Sequence, residues 1–124
     1  MSESKKKIFY AEDSDSLIKL MTYKLQNEGY DVTVFSTGEN VYESAVTEKP
    51  DLVILDLMMP IKDGLTVLKE IKSDPSTESI PVIMLTTNAE EENILKALEI
   101  GAEEYITKPF STAVLLAKIK KILV

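Results

Sequence analysis

The sequence predicts an α/β fold, a doubly wound five-stranded parallel sheet with helices on both faces. Three observations carry this. Short apolar runs alternate with segments of helical period about five times along the 124 residues. The run Leu52-Val53-Ile54-Leu55 is apolar throughout and lies between Pro50 and Pro60, as suits a strand buried on both faces. Acids stand just after two of the runs, Glu12-Asp13 after the first and Asp56 after the third. In open α/β sheets, ligands bind at the carboxyl ends of the strands.

The elements follow in order. Ile8–Ala11 is a first strand. Leu17, Ile18, Met21 and Leu25 lie at helical spacing and predict a helix over about 14–28, which Gly29 can end as a left-handed cap. Val32–Phe35 is a half-polar second strand suited to a sheet edge. Glu39–Glu48 reads as a helix, and Leu52–Asp56 as the third strand. Gly64–Ser73 is helical through Leu65, Leu68 and Ile71. Pro81–Thr86 is the fourth strand. Ala89–Ile100 is a helix stopped by Gly101. Tyr105–Thr107 is a short fifth strand, and Ser111–Val124 a last helix with Leu115, Ile119 and Ile122 on its inner face. Right-handed crossovers leave few arrangements for such a chain. The flavodoxin-like strand order 2-1-3-4-5 is expected, with its switch point between strands 1 and 3, where both flanks carry acid here.

Composition narrows the chemistry. The length suits one domain spanning 1–124. The chain has no cysteine and no histidine, which excludes disulfides, zinc held by Cys or His, and Ser–His or Cys–His catalytic pairs. Any metal must take oxygen ligands, so Mg²⁺, Mn²⁺ or Ca²⁺ fits. A net charge of −7 argues against direct nucleic-acid binding. Lys5-Lys6-Lys7 reads as a solvated lead-in to the first strand. No apolar stretch is long enough to span a bilayer, and no signal-like apolar region follows the polar start Met1-Ser2-Glu3-Ser4. A cytoplasmic location is expected.

The polar residues at the strand ends form a constellation: Glu12 and Asp13 from strand 1, Asp56 from strand 3, Thr86 and Thr87 from strand 4, and Lys108 before Pro109 from strand 5. Carboxylates at short range repel, and a hard divalent cation resolves that repulsion, Mg²⁺ being the most apt. Lys108 offers a point charge for a phosphoryl oxygen, Thr86 a hydroxyl donor, and Asp56 a carboxylate nucleophile. These are the parts of a phosphoryl-transfer site. Taken singly, each residue has an ordinary structural reading: Asp56 as a strand-end cap, the Asp13–Ser16 stretch as a helix cap, the threonines as strand residues, Lys108 as a loop lysine.

The motifs Ala11-Glu12-Asp13, Val53–Pro60, Asp63-Gly64, Pro81–Thr86, Gly101-Ala102 and Tyr105–Phe110 resemble the receiver domain of two-component response regulators, over nearly the whole chain. The resemblance is chemotaxis-regulator-like in general layout. It implies a phosphorylation-activated signalling switch whose Asp56 accepts a phosphoryl group from a histidine kinase or small phosphodonor, catalysing only its own phosphorylation and dephosphorylation. It implies Mg²⁺ held by Asp13, Asp56 and the Met58 carbonyl with help from Glu12, Thr86 and Lys108 on the phosphoryl oxygens, and a cis bond between Lys108 and Pro109. It casts Tyr105 with Thr86 as the switch pair and places Met58 and Asn88 at positions that tune hydrolysis. With no histidine here, the donor, a histidine kinase or phosphotransfer protein, must act in trans. The stretch from Lys96 to Ile119 is similar to receivers of winged-helix transcription factors. These pair through their fourth helix, fifth strand and fifth helix, and Lys96, Glu103, Glu104 and Lys118 match charged positions of that face. Val114 stands where those receivers carry an acid. The same face would otherwise serve a downstream protein partner. The chain is expected either to stand alone or to come from a longer protein.

Two other functions fit the same fold. An aspartyl-nucleophile hydrolase of the haloacid-dehalogenase type would carry a second acid two residues after the nucleophile, where Met58 stands. A flavodoxin-type carrier would need a hydroxyl- and glycine-rich phosphate loop after strand 1, where Glu12-Asp13 would repel phosphate.

Overall fold

The computed structural model describes residues 5–124, so the polar start Met1–Ser4 lies outside the described residues. The elements run β1 (Lys7–Ala11), α1 (Asp15–Asn27), β2 (Asp31–Phe35), α2 (Val41–Glu48), β3 (Leu52–Leu55), α3 (Gly64–Ser73), β4 (Val82–Thr86), α4 (Glu91–Ile100), β5 (Glu104–Thr107) and α5 (Thr112–Ile122). The strands form one parallel sheet in the order β2-β1-β3-β4-β5. Half-polar β2 takes an edge, as its composition predicts.

The unbroken apolar runs are explained by two hydrophobic layers. Alternate strand residues point to opposite faces. Phe9, Val53, Leu55, Val82 and Met84 pack with Val41 and Ala45 of α2, Val67, Leu68 and Ile71 of α3, and Ala97 of α4. Ile8, Tyr10, Leu52, Ile54, Ile83 and Leu85 pack with Met21 and Leu25 of α1 and Leu115 and Ile119 of α5. All four residues of β3 are fully buried, so a polar residue there would face a core on either side. The carboxylate that follows is placed just beyond this strand.

The helix ends follow local hydrogen bonding. Ser14 caps α1 by accepting from Leu17 N, Asp63 caps α3 by accepting from Thr66 N at 2.8 Å, and Ser111 caps α5 by accepting from Val114 N. Gly29, at φ 91°, ends the turn after α1: its N donates to the Gln26 carbonyl, and Tyr30 N to that of Leu25. Two helices begin later than their apolar spacing suggests. α2 starts at Val41 instead of Glu39, because the Thr37 hydroxyl takes Glu39 N into a local turn. α4 starts at Glu91 instead of Ala89, because the Asn88 side chain accepts from Glu90 N and leaves Glu90 extended as the cap residue. β3 ends at Leu55, with Asp56 N still donating to the Ala11 carbonyl. Of the three leading lysines, Lys5 and Lys6 are exposed, whereas Lys7 enters β1 and its backbone N donates to Asp51.

The loop after β3 contains a conformational outlier. Ile61 has φ 70° and is 73% exposed. A β-branched residue is strained in the left-handed region, by roughly 1–2 kcal/mol. Little burial offsets that strain. Ile61→Gly is expected to raise stability by about 1 kcal/mol, after allowing for the greater freedom of glycine in the unfolded chain. A higher urea midpoint with an unchanged denaturant slope is the expected result, and an unchanged or lower midpoint would show that the loop is not strained.

Candidate functional site

The sheet register assembles the site. Ala11 pairs with Leu55, so Glu12 and Asp56 leave neighbouring strands at the same level. Thr86 pairs with Thr107, and Lys108 N donates to the Thr86 carbonyl at 2.8 Å, which sets Lys108 at the same edge. Glu12 N donates to the Phe35 carbonyl at 2.9 Å. The residues singled out from the sequence are thus brought together at the carboxyl edge of the sheet.

Asp56 is only 5% exposed. Its Oδ1 accepts from Met58 N at 3.0 Å, and its Oδ2 accepts from Lys108 Nζ at 3.1 Å. Glu12 is 1% exposed. Its Oε1 accepts from Lys108 Nζ at 2.8 Å, and its Oε2 from Ser14 N at 3.2 Å. Glu12 is therefore not free of the helix start, although Ser14 provides the cap. Asp13 is exposed beside them. One carboxylate oxygen from each of Glu12, Asp13 and Asp56 lies within 4.8 Å of the others. Lys108 is joined to Pro109 by a cis peptide bond.

The electrostatics follow from this crowding. Burial pushes the Glu12 carboxyl above its ordinary value, opposed by Lys108 and Ser14 N and reinforced by Asp56. Burial would lower the Lys108 ammonium, but its bonds to Glu12 and Asp56 outweigh that and leave it raised. Lys108 is thus a firmly charged lysine. Three carboxylates face one ammonium, and every donor offered is oxygen. A hard divalent cation fits this set, since it would balance the remaining charge with the ligands it prefers.

Around the carboxylates lie the residues implicated in switching and hydrolysis. Thr86 is fully buried, and its hydroxyl accepts from Asn88 N at 3.3 Å. Tyr105 is half-buried and its hydroxyl donates to the Asn88 carbonyl at 2.7 Å. The Asn88 backbone thus touches both Thr86 and Tyr105. The Asn88 side chain is turned to α4, where its Oδ1 accepts from Glu90 N and from Asn93 Nδ2, both at 3.1 Å. The Met58 side chain is 61% exposed. Thr87 is exposed.

Comparison with known proteins identifies this arrangement. The family profile described as "Response regulator receiver domain" matches residues 8–120. The chain belongs to the response regulator receiver domain family. Among similar proteins, the alkaline phosphatase synthesis transcriptional regulatory protein PhoP of Bacillus subtilis is 42% identical over 118 residues, covering 95% of this chain and 48% of that protein. The chain spans about half the length of the curated relatives it matches. The BeF3-activated N-terminal receiver domain of Klebsiella pneumoniae RstA superposes with a TM-score of 0.87 at 36% identity, covering 95% of this chain and 98% of that one. The receiver domain of the Pseudomonas aeruginosa sensor histidine kinase PA1611 has a TM-score of 0.87 at 27% identity, over 97% of this chain and 98% of that one. Its structure is described as holding a magnesium ion in the active site cleft. The chain is thus a receiver domain of two-component response regulators, a signalling switch. Among the described residues, no helix is long and apolar enough to cross a membrane.

Two site residues escape a reading of motifs. Tyr10 is fully buried, with its hydroxyl 3.4 Å from Glu12 Oε1. Burial pushes this phenol well above its usual value, and the Glu12 charge adds to the shift. Strand alternation, which puts residues 10 and 12 on one side, is the signal that could have found it. Asn93 was invisible because its role depends on a turn five residues away.

The loop that holds Asp56 rests on Gly64. A Cβ there would lie 2.3 Å from the Asp56 carbonyl oxygen, a backbone atom with no room to yield, and Gly64 N donates to the Leu57 carbonyl at 2.9 Å. Gly64→Ala is expected to destabilise the protein by about 2 kcal/mol, the overpacking cost exceeding the helix-propensity gain. Urea unfolding measures this, and a midpoint at or above that of the wild type would rule out the close approach.

Proposed function

We propose that Asp56 is the phosphoryl acceptor of this receiver, and that the other residues at the sheet edge stabilise the charge it gains. The observation that supports this best is the placement of Asp56 at the strand end, shielded from water, with one oxygen on a backbone N–H and the other on Lys108. An Asp56 oxygen attacks the phosphorus of a phosphohistidine or small acyl phosphate, the bond to the donor's leaving group breaks, and an acyl phosphate forms. Asp13, Asp56 and the Met58 carbonyl, with help from Glu12, would hold Mg²⁺, or Mn²⁺ in its place, which would supply charge neutralisation. Lys108 turns its ammonium to a phosphoryl oxygen. Thr86 can donate its hydroxyl proton there, because in this structure its oxygen serves as the acceptor for Asn88 N. Movement of Thr86 is passed through the Asn88 peptide to Tyr105, whose hydroxyl holds the Asn88 carbonyl. The chain acts as a catalyst only of its own phosphorylation and dephosphorylation, in the cytoplasm, with a histidine kinase or phosphotransfer protein as donor.

The output face in this reading is α4, β5 and α5. Leu95 and Leu98 of α4 and Val114 of α5 are exposed apolar residues there, beside the Lys118–Glu104 pair at 3.0 Å. This face takes a downstream protein or a second copy of the receiver. Val114 offers such a dimer apolar contact in place of an ion pair.

Phosphorylation is tested with acetyl phosphate and Mg²⁺, read by intact mass. One added phosphoryl group is expected on the wild type and none on Asp56→Asn. Stoichiometric labelling of the variant at another residue would overturn the assignment.

The acyl phosphate should hydrolyse slowly, because neither tuning position provides a base. Met58 is apolar, and the Asn88 amide is committed to α4. With Met58 largely exposed, Met58→Ala is expected to leave the phosphorylated half-life nearly unchanged. Asn93→Ala frees one bond of Asn88 and is expected to shorten the half-life by roughly tenfold or less, the scale of one neutral hydrogen bond. A shorter half-life in Met58→Ala alone would instead show that Met58 shields the site.

A further inference from the structure

The Tyr10 hydroxyl is unexplained by the fold alone. Its ring packs in the layer of Met21, Leu25 and Ile54, where phenylalanine would fill the same space without a polar atom to satisfy. Among the described residues its one hydrogen-bond partner is Glu12 Oε1. That oxygen already takes the Lys108 ammonium at 2.8 Å, while the Tyr10 contact is 3.4 Å. The second distance is long for an O–H donor, so the lysine holds the carboxylate here and the tyrosine has slack to tighten.

We propose that Tyr10 is a positioning residue, a reserve donor that takes over Glu12 Oε1 when Lys108 leaves it. The inference rests on the phosphoryl-acceptor reading above, in which Lys108 turns to the group on Asp56. That turn strips Glu12 Oε1 of its charged partner. Glu12 is almost wholly buried, and with the cation held mainly by Asp13, Asp56 and the Met58 carbonyl, an Oε1 left without a direct donor would carry a large desolvation cost. Ser14 N holds the other oxygen, Oε2, and the Tyr10 hydroxyl approaches Oε1 from within the core. By lowering the cost of releasing Lys108, Tyr10 favours the liganded arrangement over the unliganded one. A ligand shifts such an equilibrium only through interactions that differ between the two states. The Tyr10 bond is one such interaction, long in this structure and short once Lys108 has gone.

The test uses Tyr10→Phe, with beryllofluoride standing in for the phosphoryl group and binding read by ¹⁹F NMR at saturating Mg²⁺. Mg²⁺ affinity without beryllofluoride is measured separately by NMR titration. The expected result is beryllofluoride affinity weakened roughly tenfold, the scale of one hydrogen bond to a charged group, with Mg²⁺ affinity essentially unchanged. A purely structural role for the hydroxyl would not produce that split. Equal beryllofluoride affinity in the two proteins overturns the proposal, and so does an equal loss of Mg²⁺ and beryllofluoride affinity. Should the wild type itself fail to bind beryllofluoride, the acceptor reading fails first and Tyr10 falls with it. The wild type offers a second readout that needs no stable variant. The Tyr10 ¹³Cζ resonance is expected to move when beryllofluoride is added to the Mg²⁺-loaded protein, and an unmoved resonance overturns the handover.

Discussion

The site is governed by the repulsion among three carboxylates that the fold forces together at one edge of its sheet. Glu12, Asp13 and Asp56 each place an oxygen within 4.8 Å of the others, and two of the three side chains are almost wholly buried. Such charges stay together only if something opposite binds them. Lys108 performs that role within the chain by bridging Glu12 and Asp56. The bridge spans β1, β3 and the end of β5, so the parallel register of the central strands is what makes it possible. Because one ammonium serves two buried acids and a third acid lies beside them, the edge retains an appetite for further positive charge. The same lysine that bridges these acids is the group proposed above to meet a phosphoryl oxygen.

Much of this was legible in the sequence because the fold and the site are written in the same pattern. The apolar runs give the strands, their polar successors give the site, and parallel pairing brings those successors together. Asp56 stands out since Leu52–Leu55 is buried on both faces and the chain can present a carboxylate only past its end. Whether the acids and Lys108 pair, and at what distance, depends on register, which periodicity does not encode. The late starts of α2 and α4 were hidden for another reason. Thr37 and Asn88 offer the backbone side-chain partners that compete with helix, and apolar spacing is blind to that competition. Ile61 has no local sequence signal at all: a β-branched residue at positive φ is held by the loops around it.

Asn88 shows how tightly the edge is tied to the rest of the molecule. Its N–H bonds the Thr86 hydroxyl, its carbonyl takes the Tyr105 hydroxyl, and its side chain holds the first turn of α4. One residue thereby connects β4, β5 and α4. A displacement of Thr86 cannot occur without altering the peptide that Tyr105 holds. The exposed Leu95 and Leu98 lie on α4, one of the elements joined by this node. The hydrogen bonds thus run from Thr86 at the sheet edge through Asn88 to Tyr105 and the first turn of α4.

This wiring also bounds how strongly the switch can respond. A group bound at Asp56 biases the far face only by the difference between its interactions in the two arrangements. In the proposed reading Lys108 must give up its bonds to Glu12 and Asp56, and these bonds oppose the change. The Tyr105 hydroxyl holds the Asn88 carbonyl at 2.7 Å. In that reading the response comes from what replaces the Lys108 bridge and from the shift of Thr86 against Asn88. Responsiveness is then set at the acidic edge, where one lysine holds two buried carboxylates and, in the proposed reading, leaves them only if other donors compensate.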